Sequence, residues 1–325
     1  ICGTSIVTLN GGPSVSRPVK VEAPAELIEA GVGSGVILAK TPGEAGSPST
    51  YSIYDLERGR PLVALAVIFA MVTIAVARLR GLFALVGLGF AAVVVVVFML
   101  PALVQGQSPL WVGLTGAAAI MFVVLYLAHG LSLRTTTALL GTFGGLALTA
   151  LIGGAADGAS HLSGISSDDS QALAQVAGQI DPRGLLTAGI ILAGLGVLND
   201  VTITQASAVW ELREAAPGMA PRRLYHTAMR IGRDHIASTI YTIVFAYAGA
   251  ALPVLLLIVL YGQPLTNVLT TSNIAEELVR TMASAIGLVM AVPLTTALAV
   301  AVATADRRGF HASGAVVPAS QPASP

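Results

Sequence analysis

Charge is scarce in this sequence. Only 10% of its 325 residues are Asp, Glu, Lys or Arg, against about 25% in a soluble domain, so too little charge exists to coat a globular surface. Cysteine is nearly absent. Cys2 stands alone, which excludes an intrachain disulfide framework and a Cys-based metal cluster. An excess charge of either sign is lacking too. The 17 basic and 17 acidic residues cancel, which argues against a nucleic-acid binder or a general ligand of anionic surfaces. Residues 1–60 hold no long apolar run of the signal-peptide kind, and the chain starts with Ile1 rather than Met; it is expected to be a fragment or a processed product.

What the sequence does have is apolar length. Hydrophobic residues make up 54% of it and the mean hydropathy is +0.80, so lipid is the expected solvent for most of the chain. Residues 1–60 are polar and rich in Gly, Pro and Ser, with alternating pieces at Val19–Glu22, Val36–Lys40 and Tyr51–Asp55 that read as β-strands. So short a segment buries little core and reads as the remnant of a larger β-type domain. From Pro61 the character changes. Apolar stretches run at about 61–77, 82–104, 109–128, 135–155, 185–209, 236–260 and 282–304. Each is near or above the ~20 residues a helix needs to cross ~30 Å of hydrocarbon. They are too long and too unalternating for barrel strands. The expected fold is all-α: a polytopic transmembrane helix bundle of about seven spans over 61–305, with a tail at 306–325 expected to be disordered. Arg78–Leu79–Arg80–Gly81 is expected to turn the first two spans into an antiparallel hairpin.

Loop charge gives the expected orientation. With residues 1–60 outside, alternate connections hold Arg78, Arg80, Arg134, Arg213, Arg222, Arg223, Arg230, Arg233, Arg307 and Arg308 on the cytoplasmic side. The outer connections hold only Arg183 and Arg280, and gather Asp157, Asp168, Asp169, Asp181, Glu276 and Glu277. Such asymmetry is the positive-inside pattern of a multi-pass protein of the cell (inner) membrane, with an extracytoplasmic N-terminal segment and a cytoplasmic tail. A short amphipathic helix is expected at Asp168–Ile180, ended before Pro182.

Four separated segments carry a family resemblance: LYLAHGL at 125–131, GVLNDVTITQASAVWEL at 196–212, IGRDHIASTIYTIVFAYAGAALP at 231–253 and VRTMASAIGLVMAVPLTTALA at 279–299. Together they resemble the YibE/F family of bacterial membrane proteins over roughly residues 50–305. The resemblance implies a multi-pass inner-membrane protein with a soluble domain before its first span, for which a transport role is often suggested. It also implies two adjacent acidic residues where this chain has Asn199–Asp200. If that pair acts as a unit, a metal or paired-acid role is weakened here.

Asp200 is the most informative position. A carboxylate deep in a span must face protein or water, because exposure to lipid at the helix centre costs about 2.5–3.5 kcal/mol. At 100° per residue, Gly189, Ala193, Gly196, Asp200, Thr204 and Ser207 share one arc, with Asn199, Thr202 and Gln205 in a neighbouring polar sector. One reading is a solute or ion path lined by Asn199, Asp200, Thr204, Gln205 and Ser207. The other is a polar anchor between helices or a residue at the inner interface. Arg230, Arg233, Asp234 and His235 form a candidate cytoplasmic gate, or positive-inside anchoring with local pairing. Gly194–Leu195–Gly196 could break the helix as in discontinuous transporter helices. Pro253 and Pro293 are expected to bend the last two spans.

Other motifs fail. Gly31-x-Gly33-x-Gly35 lacks the Gly-Lys-Ser/Thr ending of a phosphate loop and reads as a turn before a strand. No HExxH, no nucleophile elbow and no second buried carboxylate for an aspartyl mechanism is legible. The expectation is therefore no enzyme, no cofactor and no metal. The expected partners are the lipid bilayer and an unidentified small solute or ion; homo-oligomerisation stays open. A permease is the leading reading, and a non-transporting scaffold, sensor or complex subunit the alternative.

Overall fold

The computed structural model describes residues 3–8, 18–23, 35–41, 50–160, 162–262 and 264–305. The tail at 306–325, like Gly31 and Gly33, lies outside them. The chain divides into two compact units, 1–82 and 83–325.

In the first unit, strands β1 (Gly3–Thr8), β2 (Pro18–Ala23), β3 (Val36–Thr41) and β4 (Thr50–Leu56) form one sheet of order β1-β2-β4-β3. β1–β2 and β3–β4 pair antiparallel and β2–β4 parallel, with a bulge between Ile37 and Leu38. β1 has no counterpart among the strands expected from sequence. Val21 is the one fully buried hydrophobic side chain of this sheet among the described residues, as expected for a piece too small to close a core. At the end of β4, the Asp55 carboxylate receives the Leu56 N–H and the Arg58 guanidinium, each at 2.7 Å. These bonds, the backbone one first, hold it below the usual carboxylate range.

Helix α1 follows (Gly59–Val93), interrupted at Arg78, which takes the left-handed φ of 54°. The interruption is sharp: a Cβ on Gly81 would collide with the carbonyl of Thr73. Eight residues of uninterrupted helix would hold those positions about 12 Å apart. The chain therefore doubles back where the arginine-rich turn was expected, and only glycine fits the approach.

The second unit starts inside α1. A π-helical stretch, Val94–Met99, leads into α2 (Leu100–Val104). Pro101 explains it: proline removes one N–H and its ring crowds the carbonyl four residues back, so the preceding turn widens. Then come α3 (Pro109–His129), α4 (Leu133–Ala159), the short α5 (Asp168–Val176), α6 (Pro182–Ala215), α7 (Pro221–Ala250), α8 (Leu252–Leu260), α9 (Leu265–Leu269) and α10 (Ser272–Ala305). α5 begins where expected, behind a Ser167–Ser170 capping box, and ends four residues early. α7 and α8 meet at a 62° bend, with Pro253 in the first turn of α8. α6 runs unbroken through Gly194–Leu195–Gly196, so the sequence-based option of a discontinuous helix is not realised: neither glycine leaves helical geometry.

Five helices are long and apolar enough to cross a membrane, or six with the bent α7–α8 pair taken as one. The expected count of about seven is not established by this criterion, because the run Gly59–Val104 scores as a single span. It reaches seven only if that run is divided at Arg78. The exterior is apolar, with Leu62, Phe69, Val76, Val97, Phe245 and Leu256 all exposed. Such a surface suits lipid rather than water.

The core is built by α4, α6 and α10, with α3 against α6 and α7 against α10. Close backbone approach holds it together. A Cβ on Gly141 would fall on the Thr295 side chain, one on Gly287 on Thr149, and one on Gly145 on Leu198 and Ala291. Small residues at such contacts substitute for the hydrophobic drive that lipid cannot supply. Leu198, Ile191, Leu288 and Val292 fill the space between, each fully buried.

Candidate functional site

α6 owes its functional interest to having two different polar faces. On the inner one, Thr202 lies 2.6 Å from Thr142 of α4, hydroxyl to hydroxyl. One turn on, the Gln205 amide donates to the Ala228 carbonyl of α7 at 3.0 Å and to the Thr296 hydroxyl of α10 at 2.7 Å. Gln205 is 2% exposed. It is therefore a clamp joining three helices, and it does not face the same space as Asp200.

The outer face carries Gly189, Ala193, Gly196, Asp200, Thr204 and Ser207, all half-buried or exposed. A Cβ on Gly189 or Gly196 would meet nothing within 4 Å. The small-residue stripe thus looks away from the α4–α6–α10 core. Asp200 keeps 65% of its side chain exposed, and His235 of α7 places Nε2 3.4 Å from its Oδ2. This is a close approach without a formed hydrogen bond, since the buried Nε2 has no hydrogen-bond partner. Asn199, half-buried beside it, has a buried and unpartnered Oδ1.

Two contacts mark the ends of the core. At one, Arg134 approaches Glu211 at 3.7 Å; at the other, Thr187 donates to Asp157 at 2.9 Å. Asp200 is eleven residues from Glu211 and thirteen from Thr187, or about 17 and 20 Å of helical rise. Asp200 therefore lies between these two contacts along α6, and on α7 His235 stands where the apolar stretch begins.

Of the expected gate cluster, only His235 turns toward Asp200. Arg230, Arg233 and Asp234 are exposed, and no ion pair among the described residues involves them. On the last span, Arg280 approaches Glu277 at 3.5 Å, while Ser284 is buried and donates to the Ile190 carbonyl. A separate apolar hollow between α8 and α9, lined by Val254, Leu257, Ile258 and Val268, includes no member of the Asp200 face.

The four segments quoted above lie at the end of α3, on α6, across α7 and α8, and on α10, and comparison agrees with them. The model of the YibE/F-like protein family matches residues 65–305. The chain belongs to that family. The match covers every helix from within α1 to the end of α10, so the YibE/F-like region is the multi-pass membrane part and the β-sheet precedes it. No curated protein and no solved structure matches the chain. Within this YibE/F-like bundle, Asn199 leaves Asp200 as the single carboxylate of the pair implied by family resemblance, and His235 is the side chain that answers it.

Sequence reasoning missed two buried carboxylates. Asp157 and Glu276 were placed in outer connections, yet both lie in helices and are 6% and 7% exposed. α10 begins at Ser272, ten residues before its apolar stretch. The signal was present: Glu276, Glu277 and Arg280 have helical spacing, and acids favour a helix start.

Proposed function

We propose that the protein is a non-enzymatic permease of the inner membrane, moving a small solute or ion along the open face of α6 past Asp200 and His235. One observation carries the reading: an Asp–His pair on two long helices of the bundle, turned out of the packed core. An acid held there against hydrocarbon costs about 2.5–3.5 kcal/mol, so the face calls for water, solute or further protein. Thr204 and Ser207 extend it by about two turns with hydroxyls suited to a partly desolvated cation. Arg230, Arg233 and Asp234, within one and a half turns of His235 on α7, would flank the path on its cytoplasmic side. In this reading the N-terminal segment is extracytoplasmic and the tail cytoplasmic, which rests on the arginine distribution.

A second reading is a non-transporting scaffold, sensor or complex subunit. The open surface at Gly189 and Gly196 favours it, because small residues at helical spacing admit a partner helix.

The test is flux into proteoliposomes for protons, sodium and potassium, each with its own indicator. The permease reading expects flux of at least one, reduced tenfold or more by Asp200→Asn at equal protein incorporation. No flux of any of them by the wild type would favour the scaffold. Flux unchanged by Asp200→Asn would remove Asp200 from the path.

A further inference from the structure

One end of the bundle holds two carboxylates outside the path just described. Asp157, near the end of α4, accepts a hydrogen bond from Thr187 of α6 on Oδ2 at 2.9 Å. Its Oδ1 is buried and has no hydrogen-bond partner, although the residue is only 6% exposed. Glu276 of α10 receives the Gly164 N–H at 3.0 Å and the Ser166 hydroxyl at 2.5 Å, both from the loop that follows α4. The two acids belong to one corner of the bundle: their chain neighbours Ala156 and Ala275 pack on a single cluster with Leu162 and Leu186. No ion pair among the described residues involves either carboxylate. The nearest arginine along the helix, Arg280, approaches Glu277 instead at 3.5 Å.

Two buried carboxylates with no basic partner are unfavourable as charges unless a cation joins them or a proton neutralises one. The polar groups of these two contacts are all oxygens: the Asp157 carboxylate with the Thr187 hydroxyl, and the Glu276 carboxylate with the Ser166 hydroxyl. Oxygen donors without nitrogen or sulfur select hard cations, and two carboxylates match a double charge. The orphaned Oδ1 of Asp157 supplies a free lone pair in the interior, an independent sign of a missing ligand. We infer that Asp157 and Glu276 bind one hard divalent cation of the calcium or magnesium class, tying the 162–167 loop to α4, α6 and α10. The inference does not depend on transport.

The experiment uses the full chain in lipid nanodiscs after chelator treatment, with calcium and magnesium as probes and potassium as control. A bound cation should raise the unfolding midpoint by several degrees with calcium or magnesium and not with potassium. Bound terbium, read by luminescence, should be displaced by the effective ion. Asp157→Asn and Glu276→Gln should each abolish the shift and lower terbium binding tenfold or more. Their own midpoints without cation show whether they fold. Should either fail to fold, Thr187→Val keeps both carboxylates and should weaken binding several-fold. Absence of saturable binding by the wild type would overturn the site. So would equal binding by the folded variants, or a midpoint that rises equally with potassium.

Discussion

His235 Nε2 stands 3.4 Å from Asp200 Oδ2, between α7 and α6, with the carboxylate turned away from the packed core. If the two act as one unit, their effects should not add. Asp200→Asn and His235→Gln should each reduce ion flux tenfold or more, and the double variant should lose little beyond either single one. Proteoliposome flux at matched incorporation measures it. Additive losses would mean two independent roles.

Gln205 separates structure from path. Its amide bridges Ala228 and Thr296, so Gln205→Leu should lower stability by about 1–2 kcal/mol while the surviving folded protein keeps its flux. Unfolding in mixed detergent micelles checks the first half and the flux assay the second.

The two classes of glycine on these helices should respond oppositely. Gly287→Ala drives a methyl group into Thr149 and should cost about 1–3 kcal/mol. Gly196→Ala enters open space and should leave the thermal midpoint near that of the wild type. Midpoints of the two purified variants decide.

Threading is tested by reporter tags. A tag near position 170, in α5, should report the extracytoplasmic side, and one near 220, between α6 and α7, the cytoplasm. Tags reporting one compartment would contradict the arginine-based orientation.

Much of the fold was legible because lipid imposes simple rules. Long apolar runs, the tight turn at Arg78–Gly81, the Ser167 cap and the bend at Pro253 all follow from local chemistry. The facing of α6 did not. Helical geometry groups Gly189, Ala193, Gly196 and Asp200 on one arc, but it cannot tell whether that arc meets a neighbour or the outside. In lipid both faces are apolar, so the usual inside–outside contrast is missing. Leu198, Ile191 and Val209 took the core instead, leaving the small-residue arc open. Glu276 escaped for a different reason. A helix start that leaves the hydrocarbon is polar, and charge there reads as loop until its burial against Gly164 and Ser166 is seen.

The most direct test of the account is whether water reaches position 200. A cysteine placed there by Asp200→Cys, in a chain whose own Cys2 is replaced by Ser, would be treated in native membranes with a membrane-impermeant maleimide. The account predicts rapid labelling. Labelling only by a lipid-soluble maleimide would put the α6 face in hydrocarbon and contradict it.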